Sequence, residues 1–162
     1  MRTNNSKVKN VIISLYFILI VLAIITSTLV SSFSDVTESP TTSILIILGV
    51  FLVLFIITHN ISKYFEYDSD GIQVVITNKG LLISDQLNYR EHRVEFEKEK
   101  LKKFKFRNYF FYKSLAIYLE SKNDHVRKEV FNVTLVSRKK RRYIRQSLSK
   151  IIKRNRKLKS QA

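Results

Sequence analysis

Two long apolar runs near the start of the chain constrain its folding more than any other feature. Val11 to Val30 is VIISLYFILIVLAIITSTLV, 20 residues without a charge. A helix needs about 20 such residues to cross roughly 30 Å of hydrocarbon. Its only polar groups are hydroxyls, and Ser or Thr in a helix bonds back to a carbonyl one turn earlier. Ile44 to Thr58 is ILIILGVFLVLFIIT, and Thr41–Ser43 with His59–Ile61 extend it without a firm charge. A buried core helix is the ordinary alternative for one such run. Two in succession without Lys, Arg, Asp or Glu argue for a membrane hairpin. A cleaved signal peptide would have a shorter apolar core, of roughly 7–15 residues, and no second span following at once.

The flanks set the expected orientation. Arg2, Lys7 and Lys9 precede the first span, and a strongly basic segment follows the second. The connection SSFSDVTESPTTS has no Lys or Arg and holds Asp35, Glu38 and Pro40, which marks a turn. Basic flanks stay on the cytoplasmic side. The chain is therefore expected in the cell (inner) membrane, multi-pass, with both termini cytoplasmic. Asn60-Ile-Ser and Asn132-Val-Thr match the glycosylation pattern, but neither is modified in that topology.

Charge is distributed as unevenly as hydropathy. The chain has 162 residues and a net charge of +16, and all but three of its 29 Lys and Arg lie beyond Ser62. That asymmetry points to an anionic partner surface, membrane or nucleic acid. Cysteine is absent, which excludes disulfides, thiolate metal sites and cysteine nucleophiles. High Lys, Ile, Asn and Phe usage suits an AT-rich bacterial genome.

Beyond Ser62 the pattern changes to short alternating runs, each with one buried and one wet face. Tyr64 to Asp68 precedes an Asp70-Gly71 turn. Ile72, Val74 and Ile76 lead to a second turn at Asn78-Lys79-Gly80, with Leu81 to Ser84 resuming the hairpin. Val94/Phe96, Phe104/Phe106, Leu115/Ile117/Leu119 and Phe131/Val133/Leu135 complete about seven strands. From Ser137, a suitable N-cap, Ile144, Leu148, Ile151 and Ile152 mark one face of a helix among Lys and Arg. The expected division is a basic N-terminus (1–10), helix 1 (11–30), an external loop (31–43), helix 2 (44–61), a β domain (62–158) and a tail (159–162).

Seven antiparallel strands and one amphipathic helix follow the element order of a pleckstrin-homology-type barrel, partly open and closed at one end by the helix. The stretches YFEYDSDGIQVVITNKGLLIS, KEKLKKFKFRNYFFYKSLAIYL and FNVTLVSRKKRRYIRQSLSKII carry a resemblance to a family. The chain resembles small bacterial membrane proteins with a PH-like domain after a two-helix anchor, over about its last hundred residues. The resemblance implies a fold and a location; it implies no activity and no functional residues.

Three surfaces stand out as candidate sites. Lys98, Lys100, Lys102, Lys103, Lys105 and Arg107 form a basic run, three of them on the wet face of the Phe104/Phe106 strand. Such a run repels itself, screened over about 8 Å in physiological salt. Acidic headgroups would relieve it, at roughly 1 kcal/mol per basic residue near the membrane. An ordinary solvated face, partly offset by Glu95, Glu97 and Glu99, is the alternative. Tyr109-Phe110-Phe111-Tyr112 is too dense in aromatics for one strand face. Packing at the core and barrel end is its expected role, with the bilayer interface and base stacking as alternatives. Arg138, Lys139, Lys140, Arg141 and Arg142 open the helix, where cations oppose its dipole by a few tenths of a kcal/mol each. A nearby anionic membrane would compensate.

Nothing resembles catalytic machinery. Asp68-Ser69-Asp70-Gly71 is a turn, since the Glu that would complete a calcium loop is Thr77. His59, His92 and His125 lack companions at metal spacing, and no cofactor motif is present. The sequence thus predicts a non-enzymatic membrane-anchored module that binds a protein partner or anionic lipid at the inner surface. A tethered nucleic-acid-binding domain is the rival, because Lys and Arg interleave with aromatics.

Overall fold

A computed structural model describes residues 1–32, 39–80, 91–121 and 125–160. The chain divides into two compact units, Lys7–Asn60 and a second unit made of Met1–Ser6 with Ile61–Ala162.

The first unit holds helices α1 (Lys9–Ser32) and α2 (Pro40–Ile61). Both exceed the expected spans by a few residues, and Pro40 is the first residue of α2 rather than part of the loop. Proline suits that position, because its fixed φ is helical and the missing N–H has no partner to lose there. Asp35 and Glu38 lie outside the described residues. Thr26 and Thr28 bond back to carbonyls one turn earlier, at 2.7 Å to Leu22 and 3.1 Å to Ile24. Tyr16 and Phe55 meet across the pair with ring centroids 4.7 Å apart. Both helices are long and apolar enough to cross a membrane. The core helix of a soluble protein would be mostly buried, whereas none of the most apolar window of α2 is.

The second unit contains two antiparallel sheets and a helix. One sheet has the order β1 (Arg2–Asn4), β2 (Lys63–Asp68), β3 (Gln73–Gly80) and β4 (His92–Glu97). The other is β5 (Leu101–Asn108), β6 (Lys113–Glu120) and β7 (Val126–Asn132). Helix α3 spans Arg138–Lys159. Phe65, Tyr67, Val74, Ile76, Val94 and Phe96 from the first sheet share a core with Leu115, Ile117 and Phe131 from the second. Ile144, Leu148 and Ile151 of α3 close over it, each contributing about 2 kcal/mol of apolar burial. Ser137 caps α3 as expected, its side chain accepting from Lys140 N.

Among the described residues there are seven strands, with members different from those expected. Asn78-Lys79-Gly80 is not a turn: it continues β3, paired with Phe65, Tyr64 and Lys63 of β2. Ile72 is not part of that strand and stands 86% exposed in the β2–β3 turn. Leu81 to Ser84 lie outside the described residues. The additional strand is β1, whose register is Arg2↔Asp68, Thr3↔Tyr67 and Asn4↔Glu66. A three-residue strand of polar residues carries no alternating signal, so hydropathy does not reveal it.

Among the described residues, backbone pairing leaves two sheets and no closed barrel. Asparagine side chains bridge where backbone does not. Asn78 accepts from Asn132 N at 3.0 Å and donates to Asn132 O at 3.2 Å and Tyr64 O at 2.7 Å. One amide thereby replaces a rung between β3 and β7. Asn5 does the same beside β2, accepting from Phe65 N at 2.8 Å and donating to Lys63 O at 3.0 Å.

Candidate functional site

The β unit has two unlike ends. The chain arrives from α2 at Ile61, whose carbonyl oxygen accepts from the Asn132 side-chain amide at 3.5 Å. Asn132 sits opposite Ser114, at the end of the second sheet where β5 runs into β6. The last rung before that turn is Asn108↔Lys113. Lys113 N also donates to Thr134 Oγ1 at 2.9 Å, and Val133 N donates to Lys113 O at 2.8 Å. From Val133 the chain turns directly into α3, and Lys140 Nζ reaches back to Asn4 O. One end thus gathers the arrival from α2, the β5–β6 turn and the first turn of α3.

Tyr109 and Tyr112 close the β5–β6 turn through two backbone hydrogen bonds, of 2.8 and 3.2 Å. Only Phe110 and Phe111 remain at the tip, with ring centroids 4.4 Å apart and nearly perpendicular. Phe110 is 92% and Phe111 68% exposed. The expectation that these aromatics pack into the core or a barrel end is therefore wrong. A two-residue turn projects its side chains past the last rung, where no core exists to receive them. Arg107 lies just behind, its guanidinium donating to the Tyr109 hydroxyl at 3.4 Å.

The first turn of α3 carries Arg138, Lys139, Lys140 and Arg141 with no acidic residue. Arg138, Lys139 and Arg142 are exposed. Arg141 is half-buried, and its Nε finds no hydrogen-bond partner among the described residues. Burial, then the charges of Arg138 and Arg145, push its pKa below the usual guanidinium value. A guanidinium starts so high that it stays charged at neutral pH. These cations are therefore held together at a cost, at the end of the helix where the dipole is also positive.

The opposite end answers three of its cations, Lys100, Lys102 and Lys159, with carboxylates. Lys102 and Lys159 both pair with Glu120, at 3.2 and 3.0 Å. Hydrogen bonds from Lys159 and then Lys102 hold the Glu120 carboxyl below the usual range. Lys100 pairs with Glu97 at 3.1 Å. Asn155 donates to the carbonyls of Lys98, Glu99 and Leu101 at 2.8, 3.1 and 3.2 Å, tying α3 to that end. A broad cleft of about 1340 Å³ opens there between the β2–β3 turn and α3. Ser147 in its wall is taken up by Tyr67 OH at 2.9 Å and Ser69 at 3.2 Å.

The sequence-predicted residues thus separate. Arg107, Tyr109, Phe110 and Phe111 share one end with Arg138, Lys139, Arg141 and Arg142. Lys102 and Lys103 begin β5 at the other end, beside an irregularity in the ladder, and Lys105 lies between, opposite Ala116. His92 is a packing residue: it bonds Glu129 at 2.8 Å and stacks on Phe131 at 4.8 Å. Sequence reasoning missed the asparagines. Asn132-Val-Thr134 looked like a glycosylation pattern, whereas Asn132 Oδ1 accepts from Thr134 N at 2.9 Å in a side-chain turn that ends β7. Comparison with known protein families, with curated proteins and with solved structures finds no match to this chain.

Proposed function

We propose that this protein is a membrane-tethered, non-enzymatic module of PH-like architecture, and that its basic end takes anionic lipid headgroups at the cytoplasmic face of the cell membrane. One observation carries the reading: the cations of the first turn of α3, which pair with no carboxylate among the described residues, lie at the end of the β unit where the chain arrives from α2. Cations that repel one another and oppose a helix dipole are relieved by an anionic surface, at about 1 kcal/mol per basic residue. The β1–β2 pairing supports a two-span anchor. Residues 2–4 pair with residues 66–68, which agrees with both flanks of the hairpin lying on one side of a bilayer. The basic flanks favour the cytoplasm as that side.

The aromatic residues do not favour the nucleic-acid alternative. Stacking platforms spread rings across a groove so that successive bases lie on them. Here Phe104 and Phe106 pack against the core, and the exposed rings of the β unit, among the described residues, are those of the β5–β6 turn and Tyr143 of α3.

Amide exchange on the full chain in lipid nanodiscs tests the reading. Arg138 to Arg142 are expected to exchange more slowly in discs containing phosphatidylglycerol than in neutral phosphatidylcholine discs. The difference is expected to shrink as salt rises. Equal exchange in both lipids overturns the headgroup reading and leaves a protein partner as the occupant of this end.

A further inference from the structure

The tip of the β5–β6 hairpin carries the wrong residues for a turn whose only task is to reverse the chain. Two-residue hairpin turns favour Asn, Asp and Gly, which adopt the required backbone and stay wet. This one has Phe110-Phe111, closed on both sides by Tyr109 and Tyr112. Neither phenylalanine stabilises the fold by burial, since both stand largely in the open. The β2–β3 turn at the far end is built differently: Asp68 Oδ1 accepts from Asp70 N at 3.0 Å, and a single apolar residue, Ile72, stands beside two carboxylates.

We propose that Phe110 and Phe111 form a wedge that inserts into the bilayer interface and fixes this end of the β unit on the lipid. The proposal rests on the membrane-tethered reading above and goes beyond it by assigning an apolar contact, at this turn, in addition to the electrostatic one. Two observations select lipid as the occupant. The turn belongs to the end where the chain arrives from α2, through Ile61, Asn132 and Ser114. The flanking residues also suit an interface. Tyr109 and Tyr112 bracket the phenylalanines with rings that have a polar tip, the type enriched where hydrocarbon meets water. Arg107 and Lys113 follow on the two strands, placed for headgroup phosphates while the rings go deeper.

The chain contains no tryptophan, so one introduced tryptophan reports alone. Phe110→Trp and, at the far end, Ile72→Trp are each made in the full chain. Both are reconstituted in phosphatidylcholine–phosphatidylglycerol nanodiscs with and without brominated acyl chains. Phe110→Trp is expected to emit to the blue of Ile72→Trp and to lose about half its intensity to the bromines, as an interfacial ring would. Ile72→Trp is expected to be unquenched. Phe111→Trp provides the same measurement if Phe110→Trp does not fold. Emission from Phe110→Trp as red and as unquenched as that of Ile72→Trp overturns the wedge. So does a blue shift without bromine quenching, which would place the ring against protein. Quenching of both variants alike overturns it too. Exchange at Arg138 to Arg142, followed in the same discs, separates this idea from the one beneath it. Slowed exchange without quenching rejects the wedge alone, and quenching without slowed exchange supports the wedge while rejecting the headgroup reading.

Discussion

The two ends of the β unit are built from the same residue types and treat them in opposite ways. At the end that carries Glu120, carboxylates take up part of the charge: Lys102 and Lys159 share Glu120 and Lys100 pairs with Glu97. At the end where α2 hands over the chain, Arg138, Lys139, Arg141 and Arg142 crowd a helix start that has no acidic residue. Two phenylalanines stand exposed there as well. A net charge of +16 describes both ends equally. Pairing distinguishes a cation that holds the fold together from one that remains available to something outside it.

The largest test of that difference replaces charge at both ends. The variant Arg138→Gln/Lys139→Gln/Arg141→Gln/Arg142→Gln is expected to lose roughly 4 kcal/mol of attraction to anionic lipid, at about 1 kcal/mol per residue. Exchange in phosphatidylglycerol and phosphatidylcholine discs should then coincide. Lys102→Gln/Lys159→Gln at the other end is expected to leave the lipid dependence intact. Equal effects would erase the distinction between the ends.

The asparagine bridges give a smaller effect, on stability. Asn78→Ala leaves the N–H and C=O of Asn132 without their side-chain partner and is expected to cost about 2–3 kcal/mol in denaturant unfolding. Asn155→Ala removes one donor shared among three carbonyls and is expected to cost about 1–2 kcal/mol. Exchange should rise around Lys63 and Asn132 in the first variant and around Lys98 to Leu101 in the second. A reversed pattern would show that these amides do not hold the ends separately.

The smallest effect is acid sensitivity through Glu129. Burial opposes its ionisation, but hydrogen bonds from Arg127 and His92 outweigh this and hold its pKa below the usual carboxylate range. A depressed carboxylate stabilises the fold above its unfolded pKa, near 4.3, and loses that contribution as pH falls through the lower, folded value. Stability is therefore expected to decline below about pH 4.3, and Glu129→Gln to flatten that part of the curve. An unchanged acid limb in Glu129→Gln would count against the assignment.

Much of this architecture was legible in the chain because hydropathy reports burial directly. The two apolar runs became α1 and α2. The alternation of Val94/Phe96 and Leu115/Ile117/Leu119, and the spacing of Ile144, Leu148 and Ile151, matched the core. The failures were local and had physical causes. Asn78-Lys79-Gly80 has the composition of a turn, yet pairing with β2 and the bridge to Asn132 keep it extended. The aromatics at 109–112 suggested core because aromatic residues usually are core, and only the hairpin register shows that they lie beyond it. Lys102 looked like its neighbours along β5 until the fold brought Glu120 and Lys159 beside it. No periodicity marks Asn5, Asn78 or Asn155, since each acts through a single amide on backbone distant in sequence.

The small strand β1 has a consequence for how the protein is made. Its three residues precede both apolar helices, whereas their partners at 66–68 follow them. Closing a free loop of this length costs roughly 4 kcal/mol of chain entropy, a large charge against so short a strand. On the membrane-tethered reading proposed above, two spans return the chain to the side it left, whereas one span alone would leave β1 across the bilayer from its partner. On that reading β1 is a clasp that shuts only where both flanks lie on one side.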